Sequence, residues 1–294
     1  MGAASLGITG LGSLLAGCGT DVPSGTGANS ALDSLDLQGD LQLVKRYPSS
    51  SLVPGTVRLP VSLADTSGIL GNDGKRAFPD ALTASVVDSA SGDVVVAGVS
   101  TPRRGDDQSV PYWAFLVEIT SPGTYFLRLD GSRTAESAFQ VDDASGVAQP
   151  IPGRALPPFD TPTVDDRRGV DPICTRGDGP CPFHAVTLSD ALASGKPVVY
   201  LIGTPAHCKT GTCAPALDGM IATSEKVGER AVFVHADVYA DEGATRIAPA
   251  VSAYKLGYEP VLYVTRGDGV VDTRLDAVFS GDEILDALAR VGVS

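Results

Sequence analysis

The chain has 294 residues, length enough for two ordinary domains, and 43% hydrophobic residues from which to build their cores. Its formal net charge of −13 leaves no basic face for phosphates, so nucleic acid is excluded as a partner. The same charge is repelled by an anionic membrane surface, so membrane association requires a covalent or inserted anchor. Only 19% of residues are charged, while 34 glycines and 21 prolines supply turns and linkers, a balance that suits an exported β-rich protein.

In chain order, residues 3–16 are apolar or small and run into Leu14-Leu15-Ala16-Gly17-Cys18. The run is too short to span a bilayer comfortably and has the proportions of a signal peptide. The segment resembles the lipobox of bacterial lipoproteins. That resemblance implies a signal peptide over 1–17 and a diacylated Cys18 as the mature N-terminus. It also implies anchoring to the outer face of the bacterial cell membrane. No Lys or Arg precedes the apolar run, and residues 2–6 resemble the region following a twin-arginine signal, so translation is expected to start upstream. Residues 18–38, rich in Gly, Ser, Thr, Asp and Ala, read as a flexible tether.

From 39 to 142 the pattern changes to short strand-like runs: 41–44, 57–63, 94–97, 112–119, 124–129 and 138–141. Turn clusters such as Ser121-Pro122-Gly123 and Asp130-Gly131 separate them. This spacing predicts an all-β domain, and residues 123–130 resemble a late strand of an immunoglobulin-like sandwich. Trp113 is expected in its core, and Arg103, Arg104, Arg167 and Arg168 as solvated loop charges. Residues 143–183, rich in proline, read as a stiff linker.

From 184 to 294 strand and helix alternate. A short strand is expected at 186–188, a capped turn at 189–193, a buried strand at Val198–Ile202 and a long helix at 213–228. A strand at 231–238 and a helix at 246–256 follow. Gly267-Asp268-Gly269 then marks a hairpin between 260–265 and 270–279. Ser280-Gly281-Asp282-Glu283 is a capping box opening a last helix with Ile284, Leu285, Leu288 and Val291 on one face. This order of elements resembles a thioredoxin-like domain of exported bacterial proteins. The expected fold class is therefore an α/β thioredoxin-like C-terminal domain behind an all-β, immunoglobulin-like N-terminal domain.

The five cysteines complete the reading. With Cys18 assigned to lipid, Cys174, Cys181, Cys208 and Cys213 remain, and four thiols outside the cytoplasm are expected to pair. Three connectivities are open, with pairing between sequence neighbours favoured. Cys174 and Cys181 lie in a Gly/Pro loop and read as a structural disulfide. Cys208 and Cys213 lie on a strand-to-helix turn, where a helix N-terminus stabilises a thiolate. The resemblance implies thiol–disulfide exchange with exported thiol or disulfide proteins. Cys208 would be the nucleophile, Cys213 the resolving thiol, and Pro260 the proline facing the active turn, with Lys209 and His207 adding positive charge. Four residues separate these cysteines where that family has two, and its customary preceding Trp is absent.

Other readings stay open at this level. One is a non-enzymatic binding lipoprotein in which both disulfides are structural. Others are a peroxiredoxin-like peroxidase, and a copper-handling variant using a cysteine pair and a distant histidine. His184 precedes the first strand of the second domain, and His235 sits in a central-strand pattern that suits a core histidine or a ligand. Asp237 reads as a turn cap or as an acid/base near the cysteines. No organic cofactor or metal is expected. If Cys18 carries the anchor, Cys18→Ser moves the protein from the membrane pellet to the soluble fraction, as fractionation and immunoblotting will read.

Overall fold

The computed structural model describes residues 41–74 and 76–294. The apolar leader, Cys18 and all of the expected tether lie outside the described residues. No helix among the described residues is long and apolar enough to cross a membrane.

The N-terminal part is built from eight strands: β1 Gln42–Lys45, β2 Gly55–Asp65, β3 Gly68–Ile69, β4 Ala81–Asp88, β5 Val94–Arg104, β6 Tyr112–Ile119, β7 Gly123–Leu129 and β8 Glu136–Val141. They form one antiparallel sheet in the order β1-β2-β6-β5-β4-β7-β8, with β3 added to β2. Two-residue alternation is clearest in the edge strand β8. In β8, Ser137, Phe139 and Val141 are buried while Glu136, Ala138 and Gln140 face outward. The inward rows close over Trp113, Phe115, Leu59, Leu63, Leu82 and Leu127, and Trp113 is fully buried.

The C-terminal part adds helix α1 Leu188–Ala193, strand β9 Val198–Ile202, α2 Cys213–Val227, β10 Val232–Ala236, α3 Pro249–Ala253, β11 Val261–Thr265, β12 Val271–Asp276 and α4 Gly281–Arg290. Its four strands form a mixed sheet in the order β10-β9-β11-β12. β10 runs parallel to β9, and β11 runs antiparallel to both β9 and β12. All five residues of β9 are buried because both faces are covered. Val199 and Leu201 pack toward α2 and α4, while Val198, Tyr200 and Ile202 pack toward α1 and α3. Two glycines bring α2 onto α4: a Cβ on Gly219 would stand 2.9 Å from the Gly281 backbone nitrogen.

These features correct the expected fold class, a thioredoxin-like α/β domain beside an immunoglobulin-like sandwich. The protein is mostly β, with 33% strand against 17% helix among the described residues. The N-terminal strands do not divide into two packed sheets. The eleven-residue β5 pairs with β4 along most of its length and then with β6 at Arg103 and Arg104, so the sheet is continuous and curls into a nearly closed barrel. Bulges in β4 near Ser85 add to the curl. In the C-terminal part, 186–188 is not a strand: Thr187 caps α1 through a side-chain bond from the Asp190 amide. The helix expected over 246–256 shrinks to five residues, bounded by Pro249 at its first turn and a left-handed Lys255.

Residues 143–183 lie along the C-terminal sheet. Ala155 bridges Val270, and the amide of Leu156 donates to Gly269 O at 2.9 Å. The two parts meet at a buried ionic contact. Arg58 on β2 reaches Glu283 at 2.8 Å and donates to Val278 O at 2.7 Å, while the Tyr112 hydroxyl donates to the same carboxylate at 2.5 Å. Glu283 also closes the capping box of α4 with Ser280. One carboxylate thus starts a helix and joins it to the barrel. Arg58→Ala leaves that charge buried without its partner, so chemical denaturation will show a loss of about 3–5 kcal/mol.

Candidate functional site

The antiparallel pairing of β11 with β9 sets Val261 opposite Ile202, which brings Glu259 and Pro260 to the C-terminal end of β9. The chain leaves β9 at Gly203 and enters α2 at Cys213. A Cβ on Gly203 would lie 3.3 Å from Pro260 Cβ and 3.6 Å from Cys213 Sγ, so the missing side chain lets these groups converge. Pro260 follows a cis peptide bond.

Cys208, Cys213 and Glu259 come together here, with their ligating atoms within 4.8 Å of one another. Both cysteines are free thiols; Cys213 is buried and Cys208 partly exposed. The Cys208 sulfur is held as a thiolate at about 4, chiefly by the Cys213 thiol donating to it. The Thr210 hydroxyl and the amides of Thr212 and Cys213 assist, overcoming the opposing effect of burial. The Thr210 hydroxyl lies 3.2 Å from the sulfur. These donors belong to the first turn of α2 and its approach, where amides lack intrahelical partners. Cys213 is pushed far up because its proton is shared with Cys208 and because it is buried beside Glu259.

Glu259 is the group that sequence reasoning passed over. Its Oε2 accepts from the Thr204 amide at 3.1 Å and from the Cys213 thiol at 3.5 Å. Burial pushes its carboxyl up to about 7, and the Cys208 thiolate adds to the shift. The Cys213 proton therefore has two acceptors, the Cys208 sulfur and a carboxylate poised to take it near neutrality. The residue before Pro260 was a legible position, but its proximity to Cys213 comes from strand pairing. An open groove of about 360 Å³ runs along the start of α2, lined by Thr175, Arg176, Pro205, Ala206, Ala214 and Leu217.

The structural disulfide expected between Cys174 and Cys181 is not formed; both are free, buried thiols. The segment carrying them is held against β10, with the His235 amide donating to Phe183 O at 3.1 Å. Thr175 donates its amide and hydroxyl to Asp237 at 3.0 and 2.7 Å. That placement sets the two sulfurs beside the imidazoles of His184 and His235, all four ligand atoms lying within 4.8 Å of one another. A thiol hydrogen bond from Cys181 holds Cys174 well below the ordinary thiol range and Cys181 well above it. Asp237 thus anchors the Cys174 segment, and its charge also helps to raise the Glu259 carboxyl. His207 packs edge-on against Tyr239, with ring centroids 5.8 Å apart, and Lys209 is exposed.

No protein-family model matches the chain, and no curated protein matches it in sequence. The geometry makes one expectation specific. Alkylation of the folded, reduced protein will modify Cys208 before Cys213, with a pH profile inflecting near 4 rather than in the ordinary thiol range, as peptide mapping across pH will read.

Proposed function

We propose that the chain is a thiol–disulfide exchange protein acting through Cys208 and Cys213. It works outside the cytoplasm on exported proteins and is tethered by a lipid on Cys18. The observation that carries this reading is the paired arrangement at the start of α2. A partly exposed thiolate stands beside a buried thiol whose other neighbour is a carboxylate with its pKa near 7.

Stabilising the Cys208 thiolate stabilises the reduced pair, which makes its disulfide the stronger oxidant. In the favoured direction a substrate thiolate attacks Cys208 of the oxidised pair. The Cys208–Cys213 bond breaks, Cys213 leaves as a thiolate and takes a proton from Glu259. A second substrate thiolate then attacks the substrate sulfur of the mixed disulfide, releasing Cys208 as its stable thiolate. The substrate loses two electrons as its disulfide forms, and the reduced pair passes them to a disulfide acceptor. In the reverse direction Glu259 takes the Cys213 proton as that sulfur attacks Cys208.

The test is oxidation of a reduced two-cysteine peptide by the oxidised protein, followed by mass spectrometry. Cys208→Ser brings the rate to the uncatalysed level, and reduced Cys213→Ser, challenged with a disulfide peptide, accumulates the mixed disulfide on Cys208. Glu259 is a base above about pH 7 and an acid below it, so attack by Cys213 slows as pH falls through 7. Glu259→Gln removes that dependence. A Cys208–Cys213 disulfide that resists mild reductant until the protein unfolds, or wild-type exchange by Cys208→Ser, would falsify the reading.

A further inference from the structure

The proposed exchange chemistry leaves four buried groups unused: Cys174, Cys181, His184 and His235. We infer that they form a tetrahedral Zn²⁺ site that ties the irregular segment 174–184 to strand β10, a role independent of any chemistry at Cys208 and Cys213.

The two imidazoles carry the argument. His235 Nε2 lies 2.9 Å from Gly203 O, and His184 Nδ1 lies 3.5 Å from Pro162 O. A carbonyl oxygen only accepts, so each of these nitrogens carries its ring proton and donates outward. The remaining nitrogens, His235 Nδ1 and His184 Nε2, are then both lone-pair acceptors, and they face each other at 3.2 Å. Two buried lone pairs pointed at each other call for a positive charge between them. A zinc-bound histidine shows this same arrangement, one nitrogen on the metal and the other donating to a carbonyl.

The spacings fit the ion. Bond lengths of about 2.0–2.1 Å to nitrogen and 2.3 Å to sulfur give tetrahedral edges of about 3.3 Å between two nitrogens and about 3.6 Å between nitrogen and sulfur. The structure has 3.2 Å between the nitrogens and 3.5 Å from Cys181 Sγ to His235 Nδ1. Two sulfurs and two imidazoles suit zinc, whereas a hard cation such as Mg²⁺ or Ca²⁺ would require oxygen ligands. Binding releases the two thiol protons, and two thiolates then neutralise the ion, so the buried centre carries no net charge. Three ligands follow the Cys174, Cys181, His184 spacing within one irregular segment, and the fourth comes from the sheet. Through Gly203, bonded to His235 and packed on Cys213, the centre also braces the turn that carries the reactive pair.

The test uses the full-length protein, isolated under reducing conditions, loaded with Zn²⁺ and separated from free metal. Elemental analysis is expected to find one zinc per chain, retained by Cys208→Ser/Cys213→Ser and lost by Cys174→Ser. Replacement by Co²⁺ will give the intense visible bands of a tetrahedral ion together with thiolate charge transfer. Cys174 and Cys181 will resist alkylation until a chelator is added, and chelation will lower the melting temperature. Should Cys174→Ser fail to fold, the cobalt spectrum and the chelator-dependent alkylation of the parent protein decide. The proposal is overturned by a zinc-loaded protein that retains no metal, or by zinc that departs with the Cys208/Cys213 double variant. A Cys174–Cys181 disulfide that persists under reducing conditions with no cobalt spectrum overturns it as well.

Discussion

Strand β9 is buried on both faces, and that constraint organises the C-terminal half of the molecule. A strand with no solvent-facing side must be flanked by other strands and covered by packed layers, here β10 and β11 at its edges and the helices above and below. The chain turns out of the sheet at the C-terminal end of this strand, at Gly203. Both cysteine groups stand around that point. Cys213 and Glu259 are delivered by α2 and by the antiparallel partner β11, while His235 is delivered by the parallel partner β10, one residue before that strand ends. Gly203 touches both groups, packing on Cys213 and accepting from His235.

The two groups share sulfur but differ in environment. Cys208 is partly exposed, in a loop whose hydroxyls and amides favour the thiolate. Cys174 and Cys181 are sealed in with two imidazoles, each with its outer nitrogen facing a backbone carbonyl. A thiolate that faces solvent can exchange with another molecule; thiols closed in with nitrogen donors can only bond to each other or to an ion.

Much of the strand pattern was legible, because it rests on local alternation. All six expected N-terminal runs form strands, as does the run at Val198–Ile202, and the capping box at Ser280 forms with both of its bonds. The eight-residue strand β4 was not anticipated, and statements about how strands combine and how short segments resolve failed as well. The sequence suggests two sheets, yet β5 pairs with both β4 and β6, since eleven residues are long enough to serve two partners. Residues 186–188 alternate like a strand, but Thr187 finds the Asp190 amide and starts a helix instead.

The sequence by itself determined the acidic charge, most of the strand positions and the presence of a cysteine pair at a strand-to-helix turn. These follow from composition and from periods of two or a few residues. Only the tertiary structure decided the fold class, the placement of Glu259 against Cys213 and that of Cys174 and Cys181 beside His184 and His235. Glu259 meets Cys213 across 46 positions, and His235 meets Cys181 across 54. Contacts of that separation are made by strand pairing, whose register depends on the whole sheet rather than on any neighbouring residue.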